Sequence, residues 1–520
     1  MYYKISCFIF YKKLKNVEKN HIIEHIAKKG MFFILFNSYI FILLFLPLAL
    51  AGYFILNHFK KYQLAMVWLV GMSLWFYGYF HTEYLLIICF SILINYGLSK
   101  VIHNGEKRIQ KIALIVGICM NIGSIFYFKY FDFFLVNLNH IFGCDFALKN
   151  ILLPLGISFF TFQQVSYLID SYKGETKGYG FVEYALFVTF FPQLVAGPIV
   201  LHKEMIPQFQ DVNMKRINAD NFSEGLFDFA IGLFKKVMIA DTFGKAVTWG
   251  FNTVWAMTTM ETVLISLSYT FQIYFDFSGY CDMAVGIGKM FNINLPTNFD
   301  SPYKAVSIID FWNRWHMSLT RFLREYIYFP LGGSRKGKLR TYINVMIVFL
   351  VSGIWHGANW TFILWGVLHG MAQCLNRMFQ KIWNKVLVVI RWFVTFVFIN
   401  CTWIIFRAES INKALEILKK LVVWDAESMM VRPELFDAFS LTEIYFVQLH
   451  CKPLSYLAGE VNGFYMWVFL LLAFGICFLG KNIKQIKFVP NIGTAVFTVV
   501  LLVWSVMSLS GISTFLYFNF

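Results

Sequence analysis

The chain has 520 residues, of which 58% are hydrophobic and 20% aromatic, and its mean hydropathy is +0.60. About 11 to 13 apolar runs of roughly 20 residues are long enough to cross a bilayer, which excludes a soluble protein and predicts an all-α, polytopic integral membrane protein with transmembrane or re-entrant helices. The formal net charge of +16 does not indicate a nucleic-acid partner, because Lys and Arg lie in short runs between apolar segments, as in cytoplasmic loops. Nine Cys without C-x-x-C spacing predict neither a disulfide framework nor a metal site.

The first thirty residues do not fit this membrane pattern. They carry seven Lys and two Glu, which makes them a poor segment to translocate if the helix near Phe32 begins outside. Either that helix is re-entrant, or the working start is Met31 and residues 1–30 are a dispensable extension or a gene-start artefact. We favour the second interpretation and expect residues 31–520 to form a single membrane domain with its core at 150–410. The sequence has no A-x-A-like site after a short apolar core, so a cleavable signal peptide is not expected.

Basic clusters predict the orientation of the spans, since the positive-inside rule places them in the cytosol. These clusters lie at residues 60–61, 100–111, 235–236, 335–340, 377–385 and 481–487.

From Arg340 the chain is predicted to run outward, to turn near His356 and to return over 358–378. A helix from Arg340 to His356 would rise about 24 Å, so His356 is expected near the outer side. After another outward span at 386–406, the segment 407–463 has eight acidic and six basic residues, which predicts an extracytoplasmic excursion. Two extra helices at 464–510 and an aromatic tail at 511–520 complete the predicted order.

Residues 311–326 are predicted to form one amphipathic helix, because their apolar and aromatic side chains follow the 3, 4, 7 spacing of a helical face. His316 lies on that apolar stripe, where a buried imidazole requires a hydrogen-bond partner. Either His316 is a core residue that orients its neighbours or it acts directly in an acyl-transfer site.

His356 lies in the sequence SGIWHGA at residues 352–358, between two glycines that permit close backbone approach. Ionisable groups inside a membrane are costly and hence functional by default, and a neutral imidazole can accept a proton near physiological pH. We favour a catalytic base over a buried structural histidine. For His369 the structural interpretation is favoured.

Two acids, Asp276 and Asp282, occur in the apolar sequence FDFSGYCD, where we expect them to pair with Arg or backbone donors and to fix helix packing. The glycine-rich turn GGSRKGK at residues 332–338 is not a Walker motif. Its residues Arg335, Lys336 and Lys338 are candidates for contact with the phosphates of a cytosolic donor; the alternative is that they only set the topology.

The chain ends in FLYFNF, and each large apolar side chain of this tail gains about 1.5–3 kcal/mol by burial. The tail must therefore enter lipid or a slot in its own protein. A phenol at Tyr517 near a candidate base suggests acyl transfer rather than transport.

The segments FWNRWHMSL at 311–319 and GIWHG at 353–357 resemble the membrane-bound O-acyltransferase (MBOAT) family. Four further segments are similar to its bacterial branch, which contains the alginate O-acetyltransferase membrane subunit: FFPQLVAGPI at 190–199, GLFKK at 232–236, FDFSGY at 275–280 and WIIFRA at 403–408. The ending FLYFNF resembles the C-terminal tyrosine motif of cell-envelope acylation systems. The resemblance runs from Met31 to Phe520 and implies helices around a central tunnel.

The resemblance implies that His356 is the family's catalytic histidine, that His316 is the second site position, and that Tyr517 carries the acyl group. It implies acetyl-CoA as donor, with no permanently bound cofactor and no metal. An extracytoplasmic SGNH-type esterase or transferase would then pass the acetyl group to a cell-envelope or exported polysaccharide. The expected location is the bacterial plasma membrane, with many passes.

Other functions remain open. A D-alanyl or other acyl group could be transferred to an envelope polymer, or a lipid or protein could be the acceptor. A transporter or flippase is the alternative from another class, but it should show internal repeats, and none is evident.

Overall fold

The computed structural model describes residues 34–79, 81–424, 427–441, 462–509 and 515–516. Its secondary structure is helical, with no strand in these ranges, so the predicted all-α class is confirmed. The proposed extension at residues 1–30 with its Met31 start, the second half of the predicted excursion and most of the aromatic tail lie outside the described residues. The predicted domain bounds and the sidedness of the loops remain predictions.

The helices follow in three groups along the chain. The N-terminal helices are α1 (Leu46–His58), α2 (Tyr62–Gly78), α3 (Thr82–Asn104), α4 (Lys107–Ile125), α5 (Phe131–Phe142), α6 (Ile157–Tyr172), α7 (Phe181–Thr189), α8 (Phe191–Leu194) and α9 (His202–Gln210). The central helices are α10 (Ala219–Phe234), α11 (Asp241–Asn252), α12 (Thr259–Met290), α13 (Ile308–Arg314) and α14 (Met317–Leu323). The C-terminal helices are α15 (Lys338–His356), α16 (Trp360–Met378), α17 (Gln380–Trp383), α18 (Val388–Arg407), α19 (Ile411–Lys420), α20 (Pro433–Asp437), α21 (Asn462–Phe474) and α22 (Ile492–Met507).

Shorter helical turns extend or join these elements. Segments of π-helix are Phe41–Phe45, Phe126–Tyr130, Lys235–Ala240, Arg324–Tyr328 and Gly475–Leu479. Turns of 3₁₀-helix are Val212–Lys215, Val254–Ala256, Pro302–Lys304 and Ile483–Gln485.

Within the described part of the chain, five helical stretches are long and apolar enough to cross a membrane. They are Phe41–His58, Thr82–Asn104, Lys107–Phe142, Lys338–His356 and Val388–Arg407. Two apolar stretches, Gly463–Leu479 and Ile492–Met507, are shorter. These helices confirm a polytopic membrane protein.

The longest helix, α12, lies at the centre of the fold and is buried on nearly every side. It begins with a capping box, in which Thr258 Oγ1 accepts from the Glu261 N–H at 3.2 Å and Glu261 Oε2 accepts from the Thr258 N–H at 3.1 Å. Its backbone touches that of α10, since a Cβ atom on Gly232 would lie 2.5 Å from the Gly279 carbonyl oxygen. Glycine is required there because any side chain would separate the two helices.

The lysines at 235–236 do not form the cytosolic loop expected from their charge. They lie in a π-helical turn that joins α10 to α11, and Lys236 is only 1% exposed. Lys236 Nζ contacts Asp276 at 2.6 Å and Asp241 at 2.8 Å, while Lys235 Nζ contacts Asp282 at 2.6 Å. The loop prediction is wrong because carboxylates from a distant helix neutralise these charges. The predicted packing role of the two acids is confirmed, with Lys rather than Arg as the partner.

The predicted single helix at 311–326 is also wrong. The structure breaks it into α13 and α14 at Trp315 and His316, and His316 has left-handed backbone angles of φ 46° and ψ 52°. Asn298 accepts two backbone N–H groups that a continuous helix would use for its own hydrogen bonds. The Met317 N–H donates to the Asn298 carbonyl at 3.0 Å, and the Ser318 N–H donates to Asn298 Oδ1 at 3.0 Å. Side-chain periodicity could not reveal these contacts.

The hairpin of α15 and α16 matches the outward and return path predicted from Arg340. The two helices meet closely, because a Cβ atom on Gly353 would lie 2.5 Å from the Phe362 carbonyl oxygen. This contact fixes the end of α15, which carries His356, against α16.

The described part of the predicted excursion packs on the start of α12. Arg432 Nη2 lies 2.9 Å from Glu261 Oε2, and the Lys420 ammonium donates to the Met257 carbonyl at 2.9 Å. Hydrogen bonding and charge from Glu261 raise the pKa of the Arg432 guanidinium. The excursion is thus anchored to the helix that lies beside the candidate site.

Candidate active site

His356 is the last residue of α15 and is 5% exposed. Its ring packs edge-on against two aromatic side chains, Trp365 and Phe406, with centroid distances of 5.2 Å to each. Gly357 follows in extended conformation, so the chain leaves the helix at once and the imidazole stays at the helix end. The predicted base is therefore held rigidly at the end of a membrane-length helix.

The carbonyl groups at this helix end are satisfied by a segment that the sequence analysis missed. The Lys129 ammonium donates to the carbonyls of Trp355 at 2.7 Å and His356 at 3.1 Å, and the Tyr130 hydroxyl donates to that of Ile354. These carbonyls have no partner within their own helix. A signal was available in the sequence, because a lysine inside the apolar stretch Lys107–Phe142 is a costly intramembrane charge.

His316 occupies the break between α13 and α14 and is fully buried. Left-handed angles on a non-glycine residue cost about 1–3 kcal/mol and persist only where the surroundings enforce them. Besides the Asn298 contacts, the Ile199 N–H donates to Ser318 Oγ at 2.9 Å, and the Phe277 ring packs edge-on against the imidazole at 4.8 Å. Segments 197–200, 275–280 and 298–300 together hold His316 in this strained position.

The indole of Trp355 lies between the two predicted site histidines. Its centroid is 6.1 Å from that of His316 and 4.8 Å from that of His356. Trp355 Nε1 is buried and has no hydrogen-bond partner among the described residues, so it is a donor that an incoming acceptor atom could use. The structure thus brings His316 and His356 together across one aromatic ring.

A pocket of about 50 Å³ opens beside His356. It is lined by Lys129, Trp355, His356, Val195 and residues 153–159, which include the first turn of α6. Its volume suits a few waters or a small acyl group rather than a sugar.

His369 has a partner on each ring nitrogen. Its Nδ1 accepts from Trp312 Nε1–H at 3.2 Å, and its Nε2 lies 3.1 Å from Thr402 Oγ1, whose own hydrogen points to the Ile399 carbonyl. This pattern requires a neutral imidazole with the proton on Nε2. The geometry supports the structural role expected from the sequence.

The described residues of the aromatic tail, Phe515 and Leu516, pack against α12. Phe515 is 1% exposed, packs edge-on against Tyr280 at 4.8 Å and lies under the Lys236 ammonium at 4.7 Å. The Leu516 N–H donates to Asp276 Oδ2 at 2.9 Å. Phe277 of the same helix, α12, contacts His316, so the tail and the site share this helix. Tyr517 itself lies outside the described residues.

Arg335, Lys336 and Lys338 are not part of this cluster. They are exposed in the turn before α15, and about 27 Å of helix separates Lys338 from His356. If these three residues contact a donor molecule, that contact therefore lies at the end of α15 opposite to His356.

A second polar cluster lies at the far end of α6, and the sequence analysis did not single it out. Potential ligand atoms of Asp170, Glu175 and His202 lie within 4.8 Å of one another. The Asp170 oxygens already accept from Lys173 at 2.8 Å and from Tyr326 at 2.5 Å, which explains the cluster as an ion-pair network.

Comparison with known proteins adds one family match and three relatives. The sequence model of the membrane-bound O-acyltransferase (MBOAT) family matches residues 32–412, which include His316 and His356. A peptidoglycan O-acetyltransferase from Helicobacter pylori is 46% identical over 423 residues, covering 75% of this chain and 80% of the relative. A probable alginate O-acetylase from Pseudomonas aeruginosa is 39% identical over 387 residues, covering 73% of each chain. A teichoic acid D-alanyltransferase from Bacillus subtilis is 29% identical over 244 residues, covering 45% of this chain and 62% of the relative.

Proposed function

Because the chain belongs to the membrane-bound O-acyltransferase family, and is thus an acyltransferase, we propose that it moves acetyl groups from cytosolic acetyl-CoA to an extracytoplasmic polysaccharide. The observation that carries this proposal is the pair His316 and His356 on either side of Trp355, beside a small pocket at the end of a membrane-length helix. Two relatives are named as O-acetylating enzymes of peptidoglycan and alginate, which supports acetyl as the acyl group. Peptidoglycan is the first acceptor to assay.

His356 is the proposed general base. It takes the proton from an acceptor hydroxyl as the oxygen attacks the thioester carbonyl, and positioned proton transfer of this kind contributes about 10²–10⁴-fold. His316, held in a strained backbone position across Trp355, orients the reacting groups. The rigid packing of both rings supports these roles, since catalytic geometry must be maintained without rearrangement.

Tyr517 is the proposed first acceptor. Its unperturbed pKa of about 10 requires a base within hydrogen-bond reach. Support comes from the two preceding residues, which pack on α12. The Leu516 N–H donates to Asp276, and Phe515 packs against Tyr280. Phe277 of the same helix contacts His316. The acyl-tyrosine would pass its acetyl group to an extracytoplasmic SGNH-type partner and so to the polymer.

The donor would bind at the opposite end of α15. Arg335, Lys336 and Lys338 lie exposed there, where they could pair with the phosphates of CoA while the thioester reaches toward the pocket. This arrangement lets a cytosolic thioester modify an exported polymer in the bacterial plasma membrane without transport of CoA.

The direct test is labelling of the purified full-length protein with acetyl-CoA that carries a radioactive acetyl group. The wild type should retain label on Tyr517, and Tyr517→Phe should lose it. Tyr127→Phe is a matched control, because Tyr127 is half exposed on the helical stretch Lys107–Phe142 and lies away from the tail.

Full label in Tyr517→Phe would remove the phenol from the mechanism. Labelling of the wild type from a D-alanyl donor, and none from acetyl-CoA, would replace the proposed donor by that suggested by the more distant D-alanyltransferase relative.

A further inference from the structure

The pocket beside His356 contains a cation to which the proposed mechanism gives no role. Lys129 lies in the π-helical turn Phe126–Tyr130, within the apolar stretch Lys107–Phe142, and its side chain lines the pocket. Turns of π-helix inside α-helices occur often at functional sites. Among the described residues no carboxylate forms an ion pair with its ammonium, whose hydrogen bonds go to the Trp355 and His356 carbonyls. The charge is thus not cancelled by an opposite full charge.

The two carbonyls explain how the ammonium is tolerated. They lie at the C-terminus of α15, where the helix dipole is negative and favours a cation. A lysine ammonium has three N–H donors, and these contacts use two of them. One N–H therefore remains for a group inside the pocket.

The position of Lys129 also sets the sign of the electrostatic potential in the pocket. Without it, the end of α15 would present only carbonyl oxygens beside His356, which would repel developing negative charge. With it, that wall is positive, and the first turn of α6, which also lines the pocket, contributes the positive end of a second helix dipole. Both walls then favour an anion in the space next to the imidazole.

We infer that Lys129 is a further catalytic residue, which stabilises the oxyanion of the acyl-transfer step through its remaining N–H and its charge. This inference rests on the proposed function. The acceptor oxygen bonds to the thioester carbon while its proton passes to His356, and the carbonyl π electrons move onto the oxygen facing Lys129. Collapse of this intermediate restores the C=O bond and breaks the C–S bond, and the departing thiolate takes the proton from the imidazolium.

Three variants distinguish the catalytic role of Lys129 from a purely structural role, in which it only caps α15. Lys129→Met removes both donor and charge, Lys129→Gln keeps a neutral N–H donor, and Lys129→Arg keeps the charge. We expect kcat to fall about 10²–10³-fold in the Met and Gln variants with KM nearly unchanged, and to recover partly in the Arg variant, as for loss of an oxyanion donor. Lys111→Met, an exposed change in the same helical stretch, should leave kcat unchanged.

The measurement is the steady-state rate of acetyl transfer by the full chain in detergent at varied acetyl-CoA concentration, with the thermal midpoint of each variant recorded alongside. Wild-type kcat in Lys129→Gln would reduce Lys129 to a cap and overturn the inference. If Lys129→Met fails to fold, the contrast between the Gln and Arg variants still decides the question. An inactive His356→Ala beside a fully active Lys129→Met would refute only this inference, whereas a wild type that transfers no acetyl group from acetyl-CoA would refute the proposed function as well.

Discussion

Lysines in two π-helical turns serve different purposes at the α10–α12 interface and in the pocket at the end of α15. At the interface Lys235 and Lys236 each contact a carboxylate at 2.6 Å, so their charges are neutralised. In the pocket Lys129 contacts two carbonyls at 2.7 and 3.1 Å, which are dipoles and do not supply an opposite full charge. The type of partner, rather than burial itself, therefore distinguishes a lysine that holds helices together from one that is available for chemistry.

The interface also contacts the C-terminal tail. The carboxylate of Asp276 that neutralises Lys236 accepts the Leu516 N–H through its second oxygen. The same ion pair thus packs α10 on α12 and receives the C-terminal tail. We expect changes at the interface to affect stability first, and changes in the pocket to affect turnover first.

The largest effect should follow from His356→Ala, which removes the proposed base from the pocket. We expect acetyl transfer to fall about 10²–10⁴-fold, with little change in the thermal midpoint, because the aromatic packing around the site remains. The measurement is single-turnover transfer from labelled acetyl-CoA. His58→Ala, an exposed histidine at the end of α1, is the control and should retain full activity. Normal turnover in His356→Ala would assign the base to another residue.

Lys236→Met should have the opposite profile, with a loss of stability that precedes any effect on chemistry. Removing the cation of this buried ion pair leaves the Asp276 carboxylate without its counter-charge, at a cost of about 3–5 kcal/mol in the free energy of unfolding. Denaturant titration in detergent measures this. The exposed pair of Lys413 with Glu409 provides the matched control, since Lys413→Met should cost about 0.5 kcal/mol or less. Equal losses in the two variants would contradict the distinction between buried and exposed pairs.

Gly279→Ala tests the close approach that brings the interface charges together. The added Cβ would lie 2.8 Å from the Gly232 carbonyl oxygen, so we expect a loss of about 1–3 kcal/mol from overpacking. Gly71→Ala in α2 is the control, because no atom lies within 4 Å of its Cβ position and alanine favours the helix by about 1 kcal/mol. Destabilisation by both changes would point to a general intolerance of alanine rather than to helix contact.

The smallest effect should come from the basic turn, which belongs to neither region. Replacing Arg335, Lys336 and Lys338 together by Gln should raise KM for acetyl-CoA about 3- to 10-fold and leave kcat intact, because exposed charge pairs are weak. Initial rates at low and high salt measure this, and the difference from wild type should shrink as salt rises. A fall in kcat at unchanged KM would place the donor phosphates elsewhere.

Several features of this protein could be predicted from local sequence. Apolar runs predicted a helical membrane protein, and the ordered motifs predicted the family, which the match over residues 32–412 confirms. The hairpin of α15 and α16 appeared within a few residues of its predicted path. His316 and His356 stood out because an ionisable group in an apolar stretch is costly wherever the chain folds. Their catalytic roles remain predictions.

The sequence by itself thus determined the helical class, the membrane setting and the family, because those depend on composition and on residues close in the chain. Only the tertiary structure decided which charges are neutralised, where the helix at 311–326 breaks, and that Lys129 faces the pocket. The partners in these contacts are far apart in sequence: Lys236 and Asp276 by 40 residues, Lys129 and Trp355 by 226, and Leu516 and Asp276 by 240. Electrostatic and hydrogen-bond energies depend on distance in space. For this reason the charges at 235–236, which predict a loop in the sequence, form contacts between helices in the fold.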